Sequence, residues 1–111
     1  MKSLNEILRD VKAALLTVTD AVYHYRRPPR PKKNYIVWME DSEAESFDSG
    51  NRKTEQQIHG TIDYYTQEEF DSAVDQIQEA LNAAGIGFRI NSVQYEDETN
   101  LIHYEWEFWA A

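Results

Sequence analysis

The sequence predicts an α+β domain: a mixed or antiparallel sheet of four to five strands with two amphipathic helices packed on it, in the order α-β-β-β-α-β-β. Three observations predict it. Two segments repeat apolar residues at helical spacing, at least two others alternate apolar and polar residues, and Gly, Pro and Asp cluster between them. At 111 residues the chain suffices for one core and one domain spanning 1–111.

The first helix opens on "SLNE", a capping box in which the Ser3 hydroxyl accepts from the Glu6 amide and the Glu6 carboxylate reaches back. Leu4, Ile7, Leu8, Val11, Leu15 and Val18 form one stripe, and the β-branched "TVTD" ends the helix near Thr17 to Thr19. "AVYHYR" is a short strand. "RPPRPKKN" is a loop over 26–34, because three prolines in four positions neither donate to a ladder nor continue a helix. "YIVWMED" is the second strand, and the polar segment near 43–55 is expected to be a long flexible connection.

In "QQIHGTIDYY", Ile58, Gly60, Ile62 and Tyr64 share one face, with Gln57, His59, Thr61, Asp63 and Tyr65 on the other. "TQEE" then reads as a second capping box, Thr66 with Glu69, opening a helix over 67–84 that buries Phe70, Val74, Ile77, Leu81 and Ala84 and stops at Gly85. "FRINSVQYE", the turn "DETN" and "LIHYEWEFW" complete the chain, with Ile102, Tyr104, Trp106 and Phe108 opposite Leu101, His103, Glu105, Glu107 and Trp109.

Composition narrows the chemistry. No cysteine means no disulfide, no thiolate nucleophile and no cysteine-bound zinc, which fits synthesis in a reducing cytoplasm. The N-terminus carries charges through its apolar stretch, unlike a signal peptide, and no apolar run approaches the roughly 20 residues of a membrane span. His24, His59 and His103 lack partners at metal-ligand spacing, although His59, Asp63, His103 and Glu105 fall on one polar sheet face. The acidic "EDSEAESFDSGN" lacks the order of an EF-hand loop, and neither a nucleophile elbow nor a phosphate-binding glycine pattern is present. The expectation is a protein without catalysis, cofactor or metal.

Charge is the informative feature. Net charge is -9, yet residues 1–33 hold eight Lys/Arg against three Asp/Glu, whereas 34–111 hold three against seventeen. Arg26, Arg27, Arg30, Lys32 and Lys33 crowd the proline loop, while the second helix carries Asp75 and Glu79 one turn apart and no cation. Identical copies built this way attract head to tail, and a closed ring follows if the rotation closes. The candidate contacts are therefore those five cations, Asp75 and Glu79, with Trp38, Leu101 and Trp109 as apolar anchors. Two alternatives use the same loop. One is a nucleic-acid-binding accessory protein whose cations neutralise phosphates, opposed by the anionic remainder; the other is a P-x-x-P-x-K ligand, opposed by a segment pinned between strands.

The run from an amphipathic helix through "KKNYIVWMED" to "IHGTIDYYTQEEFDSAVDQIQEAL" and "YEDETNLIHYEWEF" resembles the tail terminator (tail completion) proteins of long-tailed bacteriophages and prophages. The resemblance covers nearly the whole chain. It implies a ring, usually of six subunits, in the virion at the tail–head junction, capping the tube, ending its polymerisation and meeting the head connector. Its partners would be itself, the tail tube protein and the connector protein, with DNA passing through unread and no membrane involved. It implies no residue motif, so the contact residues rest on charge alone.

Overall fold

The element order of the computed structural model is α1 (Leu4–Leu16), β1 (Val22–His24), β2 (Tyr35–Ser49), β3 (Arg52–Thr66), α2 (Ser72–Ala83), β4 (Gly87–Glu96) and β5 (Leu101–Ala110). The structure describes residues 1–50 and 52–111, those at 45–49 and 52 by their backbone. The five strands form one sheet in the order β1-β2-β3-β5-β4. β1 pairs parallel to β2 and every other pairing is antiparallel, so the sheet is mixed.

The core lies between this sheet and the helices. Ile7, Val11, Ala14 and Leu15 of α1 and Ile77 and Leu81 of α2 pack with Ile36, Trp38, Ile58, Ile62, Tyr64, Trp106 and Phe108. For α1, β3 and β5 these residues fall on the apolar faces that periodicity had grouped. Each fully buried large side chain contributes about 1.5–3 kcal/mol relative to exposure. α1 also packs on β1, and α2 packs on β4, so the two helices divide the sheet between them. The opposite face of the sheet carries no helix.

The α1 capping box forms as read: Glu6 N donates to Ser3 Oγ at 3.1 Å and Ser3 N to Glu6 Oε1 at 3.3 Å. The second box does not form. β3 continues through Thr66, which pairs with Ile102 and is fully buried. Helix α2 starts only at Ser72, capped by Asp71, whose Oδ1 accepts from Ala73 N at 2.9 Å. Its Oδ2 takes the Tyr64 hydroxyl at 2.6 Å and the Thr66 hydroxyl at 2.7 Å. A cap that also satisfies two strand hydroxyls outcompetes Thr66 with Glu69. Phe70 consequently falls in the preceding turn at φ 58 and is 92% exposed, not buried, and Ala84 is exposed too. Gly85, at φ 72, ends the helix as expected.

A second correction concerns 43–55. Strand pairing runs from Glu43 opposite Ile58 to Ser49 opposite Arg52, so this expected connection is a two-stranded ladder. Residue 51 in that span lies outside the described residues. The ladder was illegible because its sequence is almost wholly polar, leaving no alternation to detect, and register shifts interrupt it between Glu43 and Glu45 and between Phe47 and Asp48. A third shift in β2, between Glu40 and Ser42, is a bulge opposite Gly60. A Cβ at Gly60 would lie 2.2 Å from the Met39 carbonyl oxygen and 2.5 Å from the Phe108 ring, so only glycine fits there.

Candidate subunit interface

The cationic loop leaves β1 after His24 and returns to β2 at Tyr35. Both ends are fixed. At the start, Tyr25 adopts φ 77, donates its amide to the Trp38 carbonyl at 2.8 Å, and stacks on His24 with ring centres 3.7 Å apart. His24 in turn stacks on Trp38 at 3.9 Å. The Glu40 carboxylate binds both the Tyr25 hydroxyl and His24 Nε2, the latter at 2.7 Å. Burial pushes the Glu40 carboxyl up, but these hydrogen bonds prevail and hold it below its usual range. At the far end Lys32 meets Asp20 at 2.6 Å, and Asn34 Oδ1 accepts from Gln67 N at 3.1 Å.

Between these anchors the loop stands off β1 around a hollow lined by Val22, Tyr23, His24, Arg26, Arg27 and Pro28. Arg27 donates to the carbonyls of Pro28 and Pro29. Among the described residues, no intrachain hydrogen bond or ion pair engages the side chains of Arg26, Arg30 or Lys33. The loop is thus a short, proline-stiffened arch, tied at both ends and cationic at its crown. Asp75 and Glu79 are exposed on α2, on the half of the sheet bearing β4. Opposite charges therefore sit toward opposite edges of one sheet, and α2 packs on α1 and β4 away from the loop.

The apolar anchors divide. Leu101 and Trp109 are half-buried on the helix-free face, with Trp109 edge-on to His59 at 5.6 Å. Trp38 is 1% exposed, so the expectation that it offers a free face is corrected. Its even position in β2 points it at the helices, and His24 covers its remaining side. Its Nε1 has no hydrogen-bond partner.

The helix-free face is where the polar residues converge. His59 Nδ1 meets Asp41 at 2.7 Å and its Nε2 meets Glu107 at 3.3 Å, while Arg89 pairs with the other Glu107 oxygen at 2.5 Å. His103 Nε2 meets Asp63 at 2.6 Å and its Nδ1 lies 3.4 Å from Glu96. Asp41 is the extra residue of the bulge, between Glu40 opposite Gly60 and Ser42 opposite His59, and it stays beside His59. Hydrogen bonding to Asp41 raises the His59 pKa, and hydrogen bonding to Asp63 raises that of His103, against burial in both cases. Glu105 is engaged by Asn91 at 2.7 Å and does not join a cluster. Among the described residues no group of three or more His, Asp or Glu is placed to hold a metal ion. Among the described residues no helix is long and apolar enough to cross a membrane.

The comparison that bears on this geometry is structural. A chain of the virion of a native gene transfer agent particle shares the fold. The match covers 94% of this chain and 89% of that one, with a TM-score of 0.52 and 15% sequence identity. At that identity the likeness speaks to the fold alone. Neither a family model nor a curated protein sequence matches the chain.

Sequence reasoning found a loop between β1 and β2 but missed Glu40, which ties the start of that loop, Asp41, which pairs with His59, and Asp71, which caps α2. The first two gain their roles from partners distant in sequence. It also missed the apolar surface of β4, where Ile90, Val93 and Tyr95 are 45%, 55% and 59% exposed. An edge strand with apolar side chains left open is a recognisable docking feature, yet only the strand order reveals that β4 is an edge.

Proposed function

We propose that this chain is a structural, non-enzymatic protein of a phage or phage-like virion. It acts as the tail terminator: a ring of identical subunits, six in number, that caps the head-proximal end of the tail tube, ends its polymerisation and joins it to the head connector. The observation that carries this reading is the fold shared, over nearly the full length of both chains, with a chain of a gene transfer agent virion. The resemblance of the sequence to tail terminators supplies the finer role, and the polarised sheet supplies a mechanism.

A cationic arch at one edge and anionic α2 toward the other allow heterologous contact between copies. Opposite charges steer encounter and apolar contact holds the joint. The net charge of -9 keeps passing DNA from adhering. The test is removal of this chain from the genome that encodes it. Tails of uncontrolled length, or heads and tails that fail to join, are the expected outcome. Particles with normal tails and normal junctions overturn the proposal.

A further inference from the structure

We infer that a groove between the 67–71 turn and the β4–β5 hairpin receives the Arg/Pro loop of a neighbouring copy. The inference rests on the ring reading above and names the receiving surface. The groove, of about 490 Å³, is lined by Gln67, Glu69, Val93, Tyr95, Asn100 and Ile102. Its wall is apolar and aromatic, and the Tyr95 hydroxyl donates to Asn100 Oδ1 at 3.0 Å, which fixes the ring. Its rim is acidic: Glu69 lies on one side, and Glu96, Asp97 and Glu98 begin the turn on the other. Phe70 adjoins Glu69 in a left-handed conformation that a bulky residue rarely adopts, and it is 92% exposed.

This chemistry fits one occupant on the same chain. Proline-rich segments dock in aromatic-lined grooves because their extended form is already stiff, and arginines beside them pair with flanking carboxylates. "RRPPRPKK" supplies both elements, with Arg26, Arg30 and Lys33 not engaged by hydrogen bond or ion pair among the described residues. The Asp75 and Glu79 face of α2 offers carboxylates without an aromatic wall.

Placement agrees with chemistry. Tyr35 pairs with Tyr65, Tyr65 with His103, and His103 with Gln94, forming one row across the sheet. The loop ends at Tyr35 on one side of that row, and Val93 and Tyr95 flank Gln94 on the other. Loop and groove thus share one level along the strands, and the loop's return at Asn34 meets the near wall of the groove through the Gln67 amide. The crown, Arg26 to Pro29, lies against β1, four strand spacings or roughly 19 Å from the β4 wall of the groove. Side-by-side copies at equal height would join loop to groove without axial offset, the condition for a ring and not a helix.

The test titrates a peptide of residues 25–34, YRRPPRPKKN, into the full chain and follows backbone amides by NMR. Saturable shifts confined to 67–70, 93–95 and 100–102 are expected. Tyr95→Ala and Glu69→Arg, both exposed, should each weaken binding at least about tenfold, equivalent to about 1.4 kcal/mol. Shifts centred on Asp75 and Glu79, or no saturable shifts, overturn the groove assignment. Native mass of the chain, measured in parallel, reports on the ring: an oligomer whose peptide site is α2 removes the groove and leaves the ring intact.

Discussion

His103 and Asp63 face one another across β3 and β5 at 2.6 Å on the helix-free side of the sheet, and Tyr65 stacks on the same imidazole at 4.3 Å. The carboxylate favours the protonated ring, so the His103 pKa is higher folded than unfolded, as is that of His59 beside Asp41. A raised folded pKa gives stability that is complete below the unfolded value, about 6.5, and disappears as pH rises through the folded value. Tm should therefore fall as pH is taken from 6 toward 8. His103→Gln should flatten that decline, and a decline of unchanged steepness in this variant would locate the effect elsewhere.

Acid acts in the opposite sense. The Glu40, Asp41 and Asp71 carboxyls sit below their usual range: burial raises each, but hydrogen bonds from Tyr25 and His24, from His59 and Ser42, and from Tyr64, Ala73 and Thr66 outweigh it. Depressed folded values give stability that is present above the unfolded carboxylate range and lost as pH drops through the folded values. Thermal melts across pH 3 to 9 should show a maximum on the acid side of neutrality.

Asp71→Ala removes a helix cap and two hydroxyl acceptors together. The cap alone is worth about 1 kcal/mol, and leaving the Thr66 and Tyr64 hydroxyl donors without their acceptor adds about 1–3 kcal/mol. Glu69→Ala, at the position the sequence suggested for a cap partner, should change stability by less than about 0.5 kcal/mol. Denaturant midpoints of the two variants check both values.

Gly60→Ala drives a methyl into the Met39 carbonyl and the Phe108 ring. A loss of about 1–3 kcal/mol is expected from overpacking, with the backbone oxygen pushing it toward the upper end. Calorimetry of the purified variant measures it. A neutral result would mean that β2 yields at the bulge.

Duplex DNA distinguishes the ring reading from a nucleic-acid arm. A loop that docks on protein leaves DNA binding weak at about 50 mM salt and absent near 200 mM. Combined replacement of Arg26, Arg27 and Arg30 by Ala should lower self-association and leave DNA behaviour unchanged. Tight, salt-sensitive DNA binding abolished by that replacement would favour the arm.

Most of the fold was legible because α1, β5 and residues 56–65 of β3 each obey one period without interruption. The strands that escaped in part were those whose side chains do not report burial. The outer half of the β2–β3 hairpin is almost wholly polar in sequence, so its backbone pairing left no alternating hydrophobic trace. The start of α2 was misplaced because Thr66 and Asp71 are both competent caps, and only the hydroxyl of Tyr64 beside Asp71 decides between them. For the interface, charge pointed to the loop, since five cations in eight residues need no fold to be seen. The receiving surface depends on which strand lies at the edge, and strand order is a tertiary property.

The stack of Tyr25, His24 and Trp38 also makes the protein its own optical reporter. An imidazole in face contact with an indole can quench its fluorescence, and this contact sits at the root of the segment that would swing or stiffen on engaging a neighbour. Emission from Trp38 can therefore register the joining of subunits without any attached dye, with the buried Trp106, which lies away from that stack, as the steady background.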